Sequence, residues 1–186
     1  MLPHIDGKSY PEAGFRITLE RGTVTTIYTI GHSRHDLNHF LHLLGQHGIR
    51  TVADLRSRPY SKWAPHFQRN PLSGALDFEG IEYVFLGSEL GGRPEGREFY
   101  DHRGRVDYAR RAEAPDFVRG IEVLSNLGGR QPTAVMCAEE DPDRCHRRLL
   151  VTPALRRHGL EVIHVRGDGS LERDEDPESP AQRALF

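Results

Sequence analysis

Lysine is almost missing from this chain. It occurs only at Lys8 and Lys62, so nearly all of the 25 Lys+Arg residues are arginine. Codon bias explains that usage as readily as a need for rigid, bidentate anion contacts. An excess of positive charge is missing too. The 27 acidic residues leave a net charge of −2, which excludes a basic coat for extended duplex binding while leaving room for a local basic site. Cysteine is confined to Cys137 and Cys145, too few for a disulfide scaffold, and no bridge between them is expected. No apolar run is long enough to span a bilayer, and the first 20 residues lack the apolar stretch of a signal peptide. The expectation is a soluble, cytoplasmic protein with no membrane partner. No internal repeat or long low-complexity segment is present, and 186 residues suit one ordinary domain.

What is there alternates between two periodicities. The β-branched run Thr23–Ile30 reads as a first strand. Ser33 and Asp36 fit a capping box ahead of a helix carrying Leu37, Phe40, Leu41 and Leu44, which Gly45 and Gly48 end. Ile49–Leu55 reads as a second strand, Pro71–Glu79 as a short helix and Ile81–Leu86 as a third strand. Phe117, Ile121 and Leu124 mark a later helix face, and Thr133–Cys137 a buried fourth strand. A helix from Pro142 is interrupted at Thr152-Pro153, and Leu160–Val165 is the fifth strand. Strands alternating with helices predict an α/β fold: a single three-layer domain with a mainly parallel, about five-stranded sheet and helices on both faces. The expected strand order is 3-2-1-4-5. Residues 1–22 form an N-terminal extension and 23–166 the domain. Residues 167–186 read as a flexible acidic tail, because Asp168–Glu178 holds six acids and one arginine with little apolar pattern.

In an open parallel sheet, ligands bind beyond the carboxyl ends of the strands, so the residues after each strand are the candidates. After the first strand come His32 and Ser33. After the second come Asp54, Arg56 and Arg58, with Ser57 beside them and Tyr60, Trp63 and Phe67 as possible stacking faces. Arg56, Arg58, Arg93 and Arg147 suit an anion such as phosphate. The densest segment runs from Cys137 through Glu139 to Cys145, His146 and Arg147. A thiol near a helix start is activated by the helix and by a neighbouring imidazole, and His32 or Glu139 could move protons. Cys145 and His146 complete the candidate catalytic set, with Asp54, Ser33 and Cys137 lining the pocket. Cys137, Cys145 and His146 could also bind a metal, but the C-x7-C-H spacing matches no standard zinc pattern. No metal or cofactor is assigned from the sequence. A plain structural role for Cys137 stays open.

Four motifs, taken in order, resemble a known family. They are Thr29-Ile30-Gly31-His32-Ser33, Asp54-Leu55-Arg56-Ser57-Arg58-Pro59, Leu90-Gly91-Gly92-Arg93-Pro94, and Cys137-Ala138-Glu139 with Cys145-His146-Arg147. Together they resemble domain-of-unknown-function family 488 from about Thr23 to Val165. One departure is Asp54-Leu55-Arg56, where the family has Asp-Val-Arg. The resemblance implies a compact α/β domain and carries no assured activity or catalytic residues. Separately, Gln182-Arg183-Ala184-Leu185-Phe186 resembles the Q-x-x-L-F peptide that docks bacterial repair and replication proteins on the sliding clamp, with Gln182, Leu185 and Phe186 as anchors. The leading expectation is an enzyme acting on a nucleic acid or nucleotide and tethered to the clamp. A small-molecule enzyme using a Cys/His thiol or metal site, and a non-catalytic nucleic-acid or partner-binding module, stay open beside it.

Overall fold

The structure is a computed structural model and describes residues 24–175. The expected extension at residues 1–22 and the anchor residues Gln182, Leu185 and Phe186 lie outside the described residues. The sheet has six strands: β1 (Thr26–Gly31), β2 (Thr51–Asp54), β3 (Glu82–Phe85), β4 (Thr133–Cys137), β5 (Glu161–Val165) and β6 (Leu171–Arg173). Their order is β3-β2-β4-β1-β5-β6. Every pairing is parallel except β5 with β6.

This order corrects the expected 3-2-1-4-5. β1 and β4 are neighbours as expected, but β4 also inserts between β1 and β2, and β5 lies against β1. The most apolar strands take the middle. All five β4 residues are buried, and only a central strand is covered by neighbours on both sides and by helices on both faces.

The helices are α1 (Leu37–Gln46), α2 (Arg69–Phe78), α3 (Gly87–Leu90), α4 (Tyr108–Ala112), α5 (Pro115–Arg130) and α6 (Thr152–Arg157). They make the two outer layers. One core cluster joins Phe40, Leu43 and Leu44 of α1 and Leu72 and Leu76 of α2 to Val52, Ala134 and Met136. The other joins Leu90, Phe117, Ile121, Leu124 and Leu155 to Ala53, Val84, Val135 and Val162. Alternate residues of one strand thus face opposite layers, as the period of 2 requires.

Local chemistry explains where α1 begins and ends. Asp36, not Ser33, caps it: its carboxylate accepts from the His39 N–H at 2.9 Å. Gly48 at φ +62° closes it, with the Gly48 N–H on the Gly45 carbonyl and the Ile49 N–H on Leu44. The expected interruption at Thr152-Pro153 is a π turn, Arg147–Val151, running into α6. Pro153 has no N–H to continue the regular ladder. The Thr152 N–H and hydroxyl both reach back to the Arg147 carbonyl, the hydroxyl at 2.8 Å.

The stretch expected as a flexible tail is, in part, sheet. Leu171–Arg173 pairs antiparallel with β5, and Asp174 is buried. Acidic composition hid this because Asp174 is held by partners on other elements rather than by apolar burial. Its carboxylate accepts from Arg148 Nε and Arg156 Nη2, both at 2.8 Å, and from His164 Nε2 at 3.2 Å. Among the described residues, no helix is long and apolar enough to cross a membrane.

Candidate functional site

The observed order keeps the ends of β1, β4 and β2 side by side, in register Gly31↔Cys137 and Asp54↔Met136. His32 and Arg56 therefore follow, and Cys137 ends, adjacent strands at one edge of the sheet. The chain leaves β1 through a tight contact with the β4 loop. The His32 N–H bonds the Cys137 carbonyl and the Ser33 N–H bonds Ala138, each at 2.9 Å. A Cβ on Gly31 would lie 1.9 Å from the Glu139 carbonyl oxygen, so only glycine fits there. Ser33 turns the chain at φ +47°, the only non-glycine residue in the left-handed region among those described.

That turn orients a buried charge relay. His32 Nδ1 lies 3.0 Å from the Ser33 carbonyl and therefore donates to it, leaving Nε2 to accept from Arg56 Nη1 at 3.2 Å. Arg56 also grips Asp54 through Nε at 2.9 Å and Nη2 at 2.6 Å. Asp54, fully buried, accepts further from the Arg56 N–H and the Tyr83 hydroxyl. The His32 ring stacks on Phe67, with centroids 4.4 Å apart. Burial, reinforced by the Arg56 charge, pushes the His32 pKa down to about 4, so His32 is neutral at pH 7 and a lone-pair acceptor rather than a cation.

This has a measurable consequence. The unfolded chain protonates His32 near pH 6.5, but the folded one only near 4. Between those values the unfolded state binds more protons, so stability is lost as pH falls, by about 3 kcal/mol at the lower end. Urea unfolding of the native chain and of His32→Gln at pH 7 and pH 4.5 checks this. The variant should lose distinctly less stability over that interval.

The second group is built on the other side of the β4 end. A 3-10 turn (Pro142–Arg144), capped by Asp141, leads to Cys145 in extended conformation, and the π turn follows. This break brings His146 Nδ1 to 3.7 Å from Cys137 Sγ and 3.8 Å from Cys145 Sγ. The hydrogen bond given by the Cys137 thiol holds the Cys145 thiol well below its ordinary range despite burial, and His146 and Arg147 add to this. The same hydrogen bond, with burial, pushes Cys137 up. Both cysteines are free thiols. The neighbours that complete this group were not evident in the sequence. Gly92 packs against the His146 ring, where a Cβ would come within 2.7 Å. The phenol of Tyr108 is raised by burial first and then by the two cysteines.

The remaining candidates divide. Arg147 is buried and donates to the Glu139 and Glu140 carbonyls, so its guanidinium shapes the loop. The Glu139 side chain is exposed, whereas Glu140 accepts from Arg166 and the Gly167 N–H. Arg58 and Arg93 are exposed, and the Arg93 N–H is held by Ser57 Oγ at 2.9 Å. Tyr60 and Trp63 face solvent, Trp63 at 95 % exposure. Ser61 Oγ accepts from the Trp63 and Ala64 N–H groups, and the loop returns to the site through Phe67. Behind this rim, Arg111 is buried and ties α4 to Asp116 of α5 and to the Ser88 and Glu89 carbonyls of α3. It thereby positions the Gly91-Gly92 turn.

The family model described as "Domain of unknown function DUF488" matches residues 36–153, more than half of the chain. The chain belongs to this family. The DUF488 match covers β2, β4, the Gly91-Gly92 turn and the Cys145-His146-Arg147 segment. His32 and Ser33 precede it. No curated protein and no solved structure matches the chain.

Proposed function

We propose that this DUF488 domain binds and processes a nucleic acid or nucleotide at the carboxyl edge of its sheet, with the Cys137–Cys145–His146 cluster as the reaction centre. The observation that carries the reading is the rim beside that cluster. Gly92 touches His146, Arg93 follows it, the Arg93 N–H is held by Ser57, and Arg58 comes next. The same β2 loop presents Tyr60 and Trp63 to solvent. Exposed arginines interleaved with exposed aromatics suit phosphates and unstacked bases. A net charge of −2 fits a local site for a single strand or one nucleotide better than a duplex track. The closing Q-x-x-L-F peptide supports the same substrate class, since a tether to the sliding clamp keeps a cytoplasmic enzyme near DNA at high effective concentration.

Trp63 is the only tryptophan, so its own fluorescence reports stacking. Titration with a single-stranded oligonucleotide or a nucleoside triphosphate should quench it. The oligonucleotide affinity should fall with salt at a logarithmic slope of about −1.4 to −2.1, the value for two or three phosphates on a single strand. Trp63→Ala and the Arg58→Ala/Arg93→Ala pair should each weaken binding about tenfold or more. In a second arm, immobilised clamp should retain the native chain and release Leu185→Ala/Phe186→Ala. No quenching by either ligand would overturn the substrate reading, and equal behaviour of both chains on the clamp would remove the tether.

A further inference from the structure

Two sulfurs and one imidazole nitrogen converge at the end of β4. Cys137 Sγ, Cys145 Sγ and His146 Nδ1 all lie within 4.8 Å of one another, and the two S···N separations are 3.7 and 3.8 Å. A tetrahedral zinc ion with bonds of about 2.3 Å to sulfur and about 2.0–2.1 Å to nitrogen sets its ligand atoms about 3.6–3.8 Å apart. The two S···N separations therefore already match those of such a coordination shell, and the two sulfurs lie within 4.8 Å of each other. We propose that Cys137, Cys145 and His146 bind a zinc-class divalent cation, leaving the fourth position to a water or a substrate oxygen.

Independent features of the chain support this. The Arg147 N–H reaches Cys145 Sγ at 3.5 Å. Hydrogen bonds to a ligating atom from its surroundings are the usual support of a metal site. Adjacent ligands Cys145 and His146 would diverge on a regular helix. Here Cys145 is extended (φ −123°, ψ 140°) and His146 starts the next turn, so both side chains return to one point. Gly92 leaves the space in which the imidazole lies. The donor set, two soft thiolates and one imidazole, is that of zinc rather than magnesium or calcium. Three protein ligands with an open position are the pattern of catalytic rather than structural zinc.

The inference deepens the choice of this cluster as reaction centre. Its test contains no nucleic acid and so succeeds or fails separately from the substrate reading. The full chain, stripped with a chelator under reducing conditions, is titrated with Co²⁺ and then Zn²⁺. One equivalent of cobalt should bring thiolate-to-metal charge-transfer absorption and a tetrahedral visible spectrum. Cobalt binding should release the thiol protons, and zinc should then displace the cobalt with no further release. Cys145→Ser and His146→Asn should weaken binding on the order of 100-fold, at or beyond the upper end of what loss of a supporting contact costs. These two cysteines are the only ones in the chain. Zinc should therefore protect both from alkylation in the native protein, a reading that stands even where a variant fails to fold. Absence of charge transfer at stoichiometric cobalt, or alkylation unaffected by zinc, would overturn the proposal.

Discussion

Asp54→Ala is expected to cost about 3–5 kcal/mol of stability, the range for removing one partner of a buried ion pair. The reason is the number of groups that depend on one carboxylate. Asp54 is fully buried and accepts from the Arg56 N–H, Nε and Nη2 and from the Tyr83 hydroxyl. Without it, the Arg56 guanidinium is left in a site where only 6 % of its side chain meets solvent, and the Tyr83 hydroxyl loses its acceptor. Thermal unfolding should show a midpoint lower by about 10 °C. The paired replacement Asp54→Leu/Arg56→Met should recover much of the loss, since it removes both charges and restores apolar contact. That variant would still lack the Nη1 donor on His32, so its stability should be recovered while the fixed ring orientation is not. A small effect of Asp54→Ala alone would mean that water reaches Arg56 and that the relay is not closed.

The same relay shows what sequence reasoning can and cannot reach. His32, Asp54, Arg56, Cys137, Cys145 and His146 were identifiable because each ends or follows a strand whose apolar pattern is plain, and parallel sheets place such residues at one edge. Their assortment into two groups was not. It depends on β4 lying between β1 and β2, a long-range pairing that no local periodicity encodes. Arg56 and Arg147 read as anion binders in the sequence because both stand in polar, strand-end segments. The structure directs Arg147 to two backbone carbonyls and commits three guanidinium nitrogens of Arg56 to Asp54 and His32. The exposed cations of the rim are instead Arg58 and Arg93. Arg111, buried among α3, α4 and α5, lay in a charged connection that offered no apolar signal. Burial of an arginine is set by its partners, and some of these, such as His32 for Arg56 and the Ser88 and Glu89 carbonyls for Arg111, are distant in sequence.

Asp174→Ala is the second substitution expected to do large damage, about 2–4 kcal/mol, at a position where composition alone predicts none. Burial opposes ionisation of its carboxylate. The hydrogen bond from His164 and the charges of Arg156 and Arg148 outweigh that, so its pKa lies below the usual carboxylate range. His164 is fully buried, and its Nδ1 sits 2.7 Å from Thr29 Oγ1 on β1. With Nε2–H donating to Asp174, Nδ1 must accept from the threonine hydroxyl. Asp174 thus fixes the tautomer of a histidine on the neighbouring strand β5 and ties β6 to α6 through Arg156. Arg148 and Arg156 keep 28 % and 22 % of their side chains in solvent, which relieves part of the cost and places the estimate below that for Asp54. Truncation after Gly167 should cost at least as much, because it removes Asp174 together with the Asp174 N–H bond to Val162 and the β5–β6 ladder. Equilibrium urea unfolding of the native chain, Asp174→Ala and the truncated chain decides the matter. A truncated chain as stable as the native one would return residues 168–175 to the status of a solvated tail.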